Sequence, residues 1–262
     1  VVRMNRNYTL KQMLLKLLPF LLLLTAANAY TQHLSDEELA QEINSKILYY
    51  GSTVRLYNIN SKYNLHSHEV RYGSGSGQQS VTAVQSSSDY NSLWTIKNAH
   101  EKPLKLYNEP VKCGDKIRFE HALTGKNLHS HEVTSALSRK FEVSGYGDDG
   151  KGDAGDDWQI MCEDDEPGTN LMGKTIFDLK HVVTGRYLYT DKRYDFNQQN
   201  CGRDCPIAGQ LEVAGDRHPT ASSKWKINSG FFYMKKGGEE ETACVGNECP
   251  DADEHPDDEE LQ

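Results

Sequence analysis

Four of the chain's 10 histidines fall in two identical settings, His66-Ser67-His68 and His129-Ser130-His131. Residues two apart on a strand share a face, so each pair would present two imidazoles together. Such pairs can bind zinc or copper. The matching third place carries Tyr189 and Asp191, so no threefold metal cluster is available. The imidazoles are therefore expected to act as hydrogen-bonding groups of a strand, with no metal. Acid pairs such as Glu69/Glu132 and Asp156/Asp157 have the chemistry of glycosidase carboxylates, but their repeated or loop positions read as solvated surface charge. No G-x-S-x-G elbow, H-E-x-x-H helix or P-loop occurs in the sequence. An enzyme has no positive support, and no cofactor is expected.

The histidine pairs belong to a larger repetition. Leu65-His66-Ser67-His68-Glu69-Val70 recurs letter for letter from Leu128 to Val133, and a fainter copy stands at Leu188-Tyr189-Thr190-Asp191. Each copy closes on Trp-x-Ile: Trp94/Ile96, Trp158/Ile160 and Trp225/Ile227. Their pitch is regular, with Leu65 and Leu128 separated by 63 residues and Leu128 and Leu188 by 60. Repeats of this kind fix an architecture. Each copy reads as four short strands with period-two alternation. The first carries Val54/Leu56, Ile117/Phe119 and Phe177/Leu179; the second starts at Leu65, Leu128 and Leu188. The third carries Val81, Phe141/Val143 and Leu211/Val213; the fourth is the Trp-x-Ile pair. Turns at Thr124-Gly125 and Thr184-Gly185, with Ser61-Lys62 as the less regular equivalent, separate the first two strands. Copy three is longer between its second and third strands, and the excess holds Cys201 and Cys205.

Units of this size cannot each bury an apolar face alone. Closing three of them around a pseudo-threefold axis removes exposed sheet edges. The expected fold is all-β, a β-trefoil of three four-stranded repeats at about 53–96, 116–160 and 175–227 within a domain spanning 51–235. A two-sheet sandwich or an array of separate units is the competing arrangement. In a trefoil unit the first and last strands meet, which favours a Cys113–Cys162 bridge. Cys201–Cys205 and Cys244–Cys249 would close small loops, with free thiols or exchange between them as alternatives. Six cysteines in all permit 15 pairings.

The segments outside the repeats carry an address. Arg6, Lys11 and Lys16 precede the apolar run 17–24, and Ala27-Asn28-Ala29 has the small-x-small cleavage pattern. Residues 1–29 are expected to be a cleaved signal peptide, followed by a lead-in over 30–50, and no transmembrane span is expected in the mature chain. The formal net charge is −9, and the stretch from Glu239 to Gln262 holds eleven acids without a Lys or Arg. Residues 236–262 therefore read as an acidic disordered tail. The body is nearly balanced, which speaks against a nucleic-acid partner.

The phrases at 125–132 (GKNLHSHE) and 156–160 (DDWQI) resemble MIR motifs, repeats shared by protein O-mannosyltransferases and by inositol trisphosphate and ryanodine receptors. With 62–68, 70–82 and 111–114 in support, the chain is similar to the stromal cell-derived factor 2 family over roughly Tyr50 to Lys235. That resemblance implies a β-trefoil in the endoplasmic reticulum lumen, associated with a luminal J-domain co-chaperone and an Hsp70-class chaperone. It also implies a role in quality control around O-mannosylation, with unfolded or O-mannosylated proteins as clients and no catalysis. Family members often end in a His-Asp-Glu-Leu-like retrieval signal; here Gln262 follows Leu261. Retention by a partner, or secretion, is then the expectation.

The repeated Trp residues are expected in the core. Ligand-facing aromatics are sought among Tyr57, Tyr63, Tyr72 and Tyr146, placed in turns and loops. The loops 71–76 and 140–147 are the expected contact surfaces. Tyr63, Arg71, Tyr72, Lys140 and Tyr146 are the candidate partner or ligand residues. Two functions compete: a non-enzymatic luminal adaptor, and a carbohydrate-binding module for mannosides. A mannosyltransferase would need a polytopic membrane body.

Overall fold

Alternating apolar residues can leave water only if their strands close on one another. In the computed structural model, which describes residues 43, 44, 46–100, 102 and 109–231, they do so in two tiers. Six strands form a closed barrel: β1 (Thr53–Asn58), β4 (Trp94–Asn98), β5 (Lys116–His121), β8 (Trp158–Cys162), β9 (Phe177–His181) and β12 (Trp225–Phe231). The antiparallel pairings run β1–β4, β4–β5, β5–β8, β8–β9, β9–β12 and β12–β1, so no barrel edge is left open. Three hairpins form the second tier: β2 (Tyr63–Arg71) with β3 (Gln79–Val84), β6 (Asn127–Thr134) with β7 (Phe141–Tyr146), and β10 (Tyr187–Asp195) with β11 (Leu211–Asp216). They join in a ring through β3–β7, β7–β11 and β11–β3.

One core serves all three copies. Val54, Ile117 and Phe177 lie in the same buried cluster as Leu65, Leu128, Leu188 and the three tryptophans. Each tryptophan is fully buried, and its indole Nε1–H needs an acceptor there. It donates to the main-chain carbonyl that opens its own hairpin: Trp94 to Leu65 at 3.1 Å, Trp158 to Leu128 at 2.8 Å and Trp225 to Leu188 at 2.9 Å. A second set recurs one tier up. Ser67, Ser130 and Thr190 hydroxyls donate to the carbonyls of Ser80, Glu142 and Glu212 at 2.8, 2.9 and 2.9 Å.

Neighbouring copies are held by a third set. His121 Nε2 meets the Asn91 carbonyl at 2.9 Å, His181 Nε2 meets the Gly155 carbonyl at 2.8 Å, and Asn58 Nδ2 donates to the Ser222 carbonyl at 2.9 Å. All three carbonyls sit on short 3-10 turns just before β4, β8 and β12. The turn that follows each clasp residue needs a left-handed backbone. Gly125 (φ 64°) and Gly185 (φ 68°) supply it without steric cost, whereas copy one uses Lys62 at φ 66°.

Two expectations are corrected. The end of the lead-in is part of the body: Leu48 and Tyr50 are buried in the core cluster, and Ile47 and Tyr49 bridge to Met172 and Pro110. Their apolar side chains fill the barrel bottom, a role that the interrupted pattern before Thr53 concealed. Asp156 and Asp157 are not solvated surface charges. Both are buried, Asp156 in the capping box of a 3-10 turn and Asp157 accepting from the His100 amide at 2.7 Å. Glu69 and Glu132 are exposed.

Disulfides join Cys113 to Cys162 (Cα–Cα 5.7 Å) and Cys201 to Cys205 (Cα–Cα 5.3 Å). By the chain-entropy argument the longer loop stabilises by about 4 kcal/mol and the five-residue one by about 2 kcal/mol. Cys244 and Cys249, the segment 1–29, most of the lead-in and the acidic tail lie outside the described residues.

Trp158→Phe keeps a ring in the core but leaves the buried Leu128 carbonyl without its donor and opens a void. Loss of roughly 2–4 kcal/mol is expected from urea unfolding. Val183→Ala, at a side chain 62% exposed, should change stability by less than about 0.5 kcal/mol in the same measurement.

Candidate functional site

Where the hairpins of copies one and two meet, the chain leaves a polar cleft of about 460 Å³. The end of β2 contributes Glu69 and Arg71, the start of β3 contributes Gln78 and Gln79, and the turn before β6 contributes Thr124 and Lys126. Tyr146, Gly147 and Asp148 follow from the end of β7. Lys126 is ion-paired with Asp148, and that pairing holds the exposed Asp148 carboxyl below the usual range. Gln79 Nε2 is fixed by Ser67 Oγ and Thr124 Oγ1, both at 2.8 Å. Gly145 lets the chain pass close to this amide, since a Cβ there would lie 3.2 Å from the Gln79 Cβ.

Tyr146 is the aromatic wall, 37% exposed. Its ring lies 4.6 Å from that of His129, and His129 is itself fixed by Asp156 at 2.9 Å. An aromatic face beside rigid amides, a carboxylate and cations is an arrangement that binds polyhydroxylated molecules.

Arg71 also borders a second, more apolar groove of about 350 Å³. Val70, Tyr72 and Ala136 form part of its wall, and Phe196, Cys201, Pro206 and Ile207 from the copy-three insertion complete it.

Of the candidate residues, only Arg71 and Tyr146 share the polar cleft, while Arg71 and Tyr72 share the groove. Tyr63 opens β2 and packs against the core cluster. Lys140 pairs with Asp216 at 2.8 Å and covers the Tyr189 ring at 4.7 Å. Tyr72 does not offer its hydroxyl to solvent. That group donates to the Val81 carbonyl at 2.8 Å and accepts from the Val81 amide at 3.2 Å, and burial pushes its pKa well up. Residues 141–146 are the strand β7 rather than a loop, and Tyr57 lies within β1.

The histidine pairs are occupied by hydrogen bonds. Asp89 holds His66 Nδ1 at 2.6 Å, and His66 Nε2 meets His68 Nδ1 at 3.0 Å. Burial, then the neighbouring His66, lowers the His68 pKa. His131 Nε2 meets Glu142 at 3.1 Å. His129 Nδ1, Asp153 and Asp156 place donor atoms within 4.8 Å of one another, a set that could hold a cation. All three are engaged internally: Asp153 caps Gly155 N at 2.7 Å, and Asp156 accepts from Asn127 at 3.1 Å besides holding His129.

Several positions escaped sequence reasoning. Buried Glu142 and Glu212 clamp the loop of a neighbouring hairpin. Glu142 accepts from the Ser76 hydroxyl, and Glu212 accepts from the amides of Leu137 and Ser138 at 2.6 and 2.8 Å. The clasp residues Asn58, His121 and His181 were also missed. A visible signal existed, because each precedes a Ser or Thr by three places.

A MIR domain model matches residues 64–220. Human stromal cell-derived factor 2 is 44% identical over 183 residues, covering 70% of this chain and 80% of the relative. The chain belongs to the stromal cell-derived factor 2 family. Bovine stromal cell-derived factor 2-like protein 1 is 40% identical, with 70% and 76% covered. Among solved structures, the SDF2-like protein of Arabidopsis thaliana superposes with a TM-score of 0.66 at 35% identity, covering 73% of this chain and all (100%) of that one. The S. cerevisiae protein O-mannosyltransferase Pmt1-Pmt2 complex, bound to the sugar donor, matches with a TM-score of 0.61 at 27% identity. That match covers 70% of this chain and 25% of the other. The relatives carry the names of family proteins and not of enzymes. No helix among the described residues is long and apolar enough to cross a membrane.

The clasp histidines of this family member make its stability depend on pH. Burial holds His121 and His181 at about 4, below their ordinary 6.5, against a partly opposing bond to the facing carbonyl. Between those values the unfolded chain binds more protons. The stabilisation is therefore complete above pH 6.5 and is lost as pH falls towards 4, by up to roughly 3 kcal/mol per histidine. Denaturant midpoints at pH 7.5, 6 and 5 should fall in that order. Replacing both histidines by Asn, the residue copy one uses, should flatten the slope even if the variant is less stable throughout.

Proposed function

We propose that this protein is a non-enzymatic adaptor of the endoplasmic reticulum lumen, built as a β-trefoil of three MIR repeats. It binds a J-domain co-chaperone together with its Hsp70-class partner, and clients are presented to them from its surface. The observation that carries this reading is the internal use of its chemistry. The buried carboxylates of Asp156, Asp157, Glu142 and Glu212 and the rings of His66, His121, His129 and His181 are all engaged in holding main chain, side chain or loops. Family membership supports the chaperone partners and the luminal address.

Capture of the tagged full chain from luminal extract, at near-physiological salt and calcium, tests the proposal. Co-recovery of a J-domain protein and an Hsp70 is the expected result; their absence from repeated captures would sink it.

A second reading is favoured by the polar cleft. We infer that it is a mannoside subsite, since Tyr146 offers a stacking face beside Arg71, Glu69 and Lys126, and the matching O-mannosyltransferase structure carries a sugar donor. Calorimetric titration with methyl mannoside and mannobiose should show saturable binding that Tyr146→Ala weakens about tenfold, the loss of one aromatic contact. A flat titration of the unmodified protein removes this reading and leaves the adaptor intact.

A further inference from the structure

The two disulfides are placed for different purposes. Cys113–Cys162 ties β8 to the segment before β5, and Cys113 is part of the core cluster. Cys201–Cys205 closes only the segment Cys201-Gly202-Arg203-Asp204-Cys205 in the copy-three insertion. It ends a single helical turn, Gln198–Cys201, and both of its cysteines are half-buried. Opening such a short loop costs about half of what opening the longer one would, and neither cysteine belongs to the core cluster.

Its surroundings suit an incoming sulfur. Cys201 forms part of the wall of the second groove, among Val70, Phe196, Pro206 and Ile207. Exposed Arg71 stands on the same groove, and its charge also acts on Asp148 in the neighbouring cleft. A guanidinium on the groove favours a thiolate, while the apolar wall beside it favours the neutral thiol. The groove thus combines a surface for apolar side chains, a cation for a sulfur anion and a disulfide that lies outside the core cluster.

We propose that Cys201–Cys205 is a thiol–disulfide exchange site for a cysteine carried in an apolar segment of non-native polypeptide. The segment's cysteine gives its proton to water, and the thiolate attacks Cys201 Sγ. A bond forms between the segment sulfur and Cys201 as the Cys201–Cys205 bond breaks. Cys205 leaves with the electron pair and takes a proton from water. The segment sulfur is oxidised and Cys205 is reduced, with no external oxidant or reductant. Return of the Cys205 thiolate to Cys201 releases the segment. This proposal is independent of the adaptor reading, because it needs only access of a polypeptide thiol to the groove.

The test uses the full chain with two peptides, each carrying one cysteine, flanked either by Leu, Phe and Val or by Ser and Gln. After acid quenching and alkylation, mass spectrometry locates every sulfur. The expected product joins the apolar peptide to Cys201, with Cys205 alkylated and Cys113–Cys162 intact. Burial of one large apolar side chain should make it form about tenfold more readily than the polar adduct. Cys201→Ser with Cys205→Ser should abolish the product. Ala136→Glu, at an exposed position on the groove rim, should erase the preference for apolar flanks while leaving the disulfide in place. The proposal is overturned by an intact Cys201–Cys205 pair with no adduct, or by equal reaction of both peptides. Adducts confined to Cys244 or Cys249, or opening of Cys113–Cys162 at the same rate, would overturn it as well.

Discussion

The bond from each indole Nε1–H to the carbonyl of a hairpin leucine is the constraint on which the fold rests. A tryptophan buried without that acceptor would forfeit its hydrogen bond to water, a cost set against the gain from burying the ring. With it, the last strand of every copy is tied to the start of that copy's own hairpin, at 2.8 to 3.1 Å in all three places. The ring area then drives burial and the N–H fixes where burial occurs. The three bonds tie the hairpin tier to the barrel strands, around the common core that Val54, Ile117 and Phe177 share.

Much of the architecture was legible because it is repeated hydrophobic chemistry. Period-two alternation at Val54/Leu56, Ile117/Phe119 and Phe177/Leu179 marks buried faces directly, and Trp-x-Ile marks the closing strands. The polar joints were harder to see. Glu142 and Asp156 look like ordinary acids in sequence, yet Glu142 is enclosed by a loop from copy one and Asp156 by Asn127, His129 and Asp153 of its own copy. Asn58 hides its equivalence to His121 and His181 because amide and imidazole share a geometry, not a letter. Leu48 and Tyr50 reach the core through isolated bridges, without a strand to announce them. The candidate site was legible only in part. Arg71 and Tyr146 are 75 positions apart in chain order, and only the meeting of two hairpins brings them to one cleft. Tyr72 shared their residue type and region, but its hydroxyl was claimed by the Val81 backbone.

Sequence differences between the copies are where function can reside. The copies agree on tryptophan, leucine and the hydroxyl at 67, 130 and 190, which hold the framework. They disagree at their rims. Copy one brings a glycine-rich loop whose Gly75 accommodates the Glu142 carboxylate, since a Cβ there would fall 2.1 Å from its Oε2. Copy two adds a second acid beside His129. Copy three adds the cystine-bearing insertion. One scaffold thereby displays three unlike surfaces.

The pairing of Thr53 with Phe231 across β1 and β12 makes the point of chain entry arbitrary. A connection from β12 back to the segment 46–52 that leads into β1, keeping Leu48 and Tyr50 in the core, would leave the β1–β12 ladder paired. The order in which the ribosome delivers the copies is thus incidental to the final shape, and the fold behaves as a ring that happens to be written as a line.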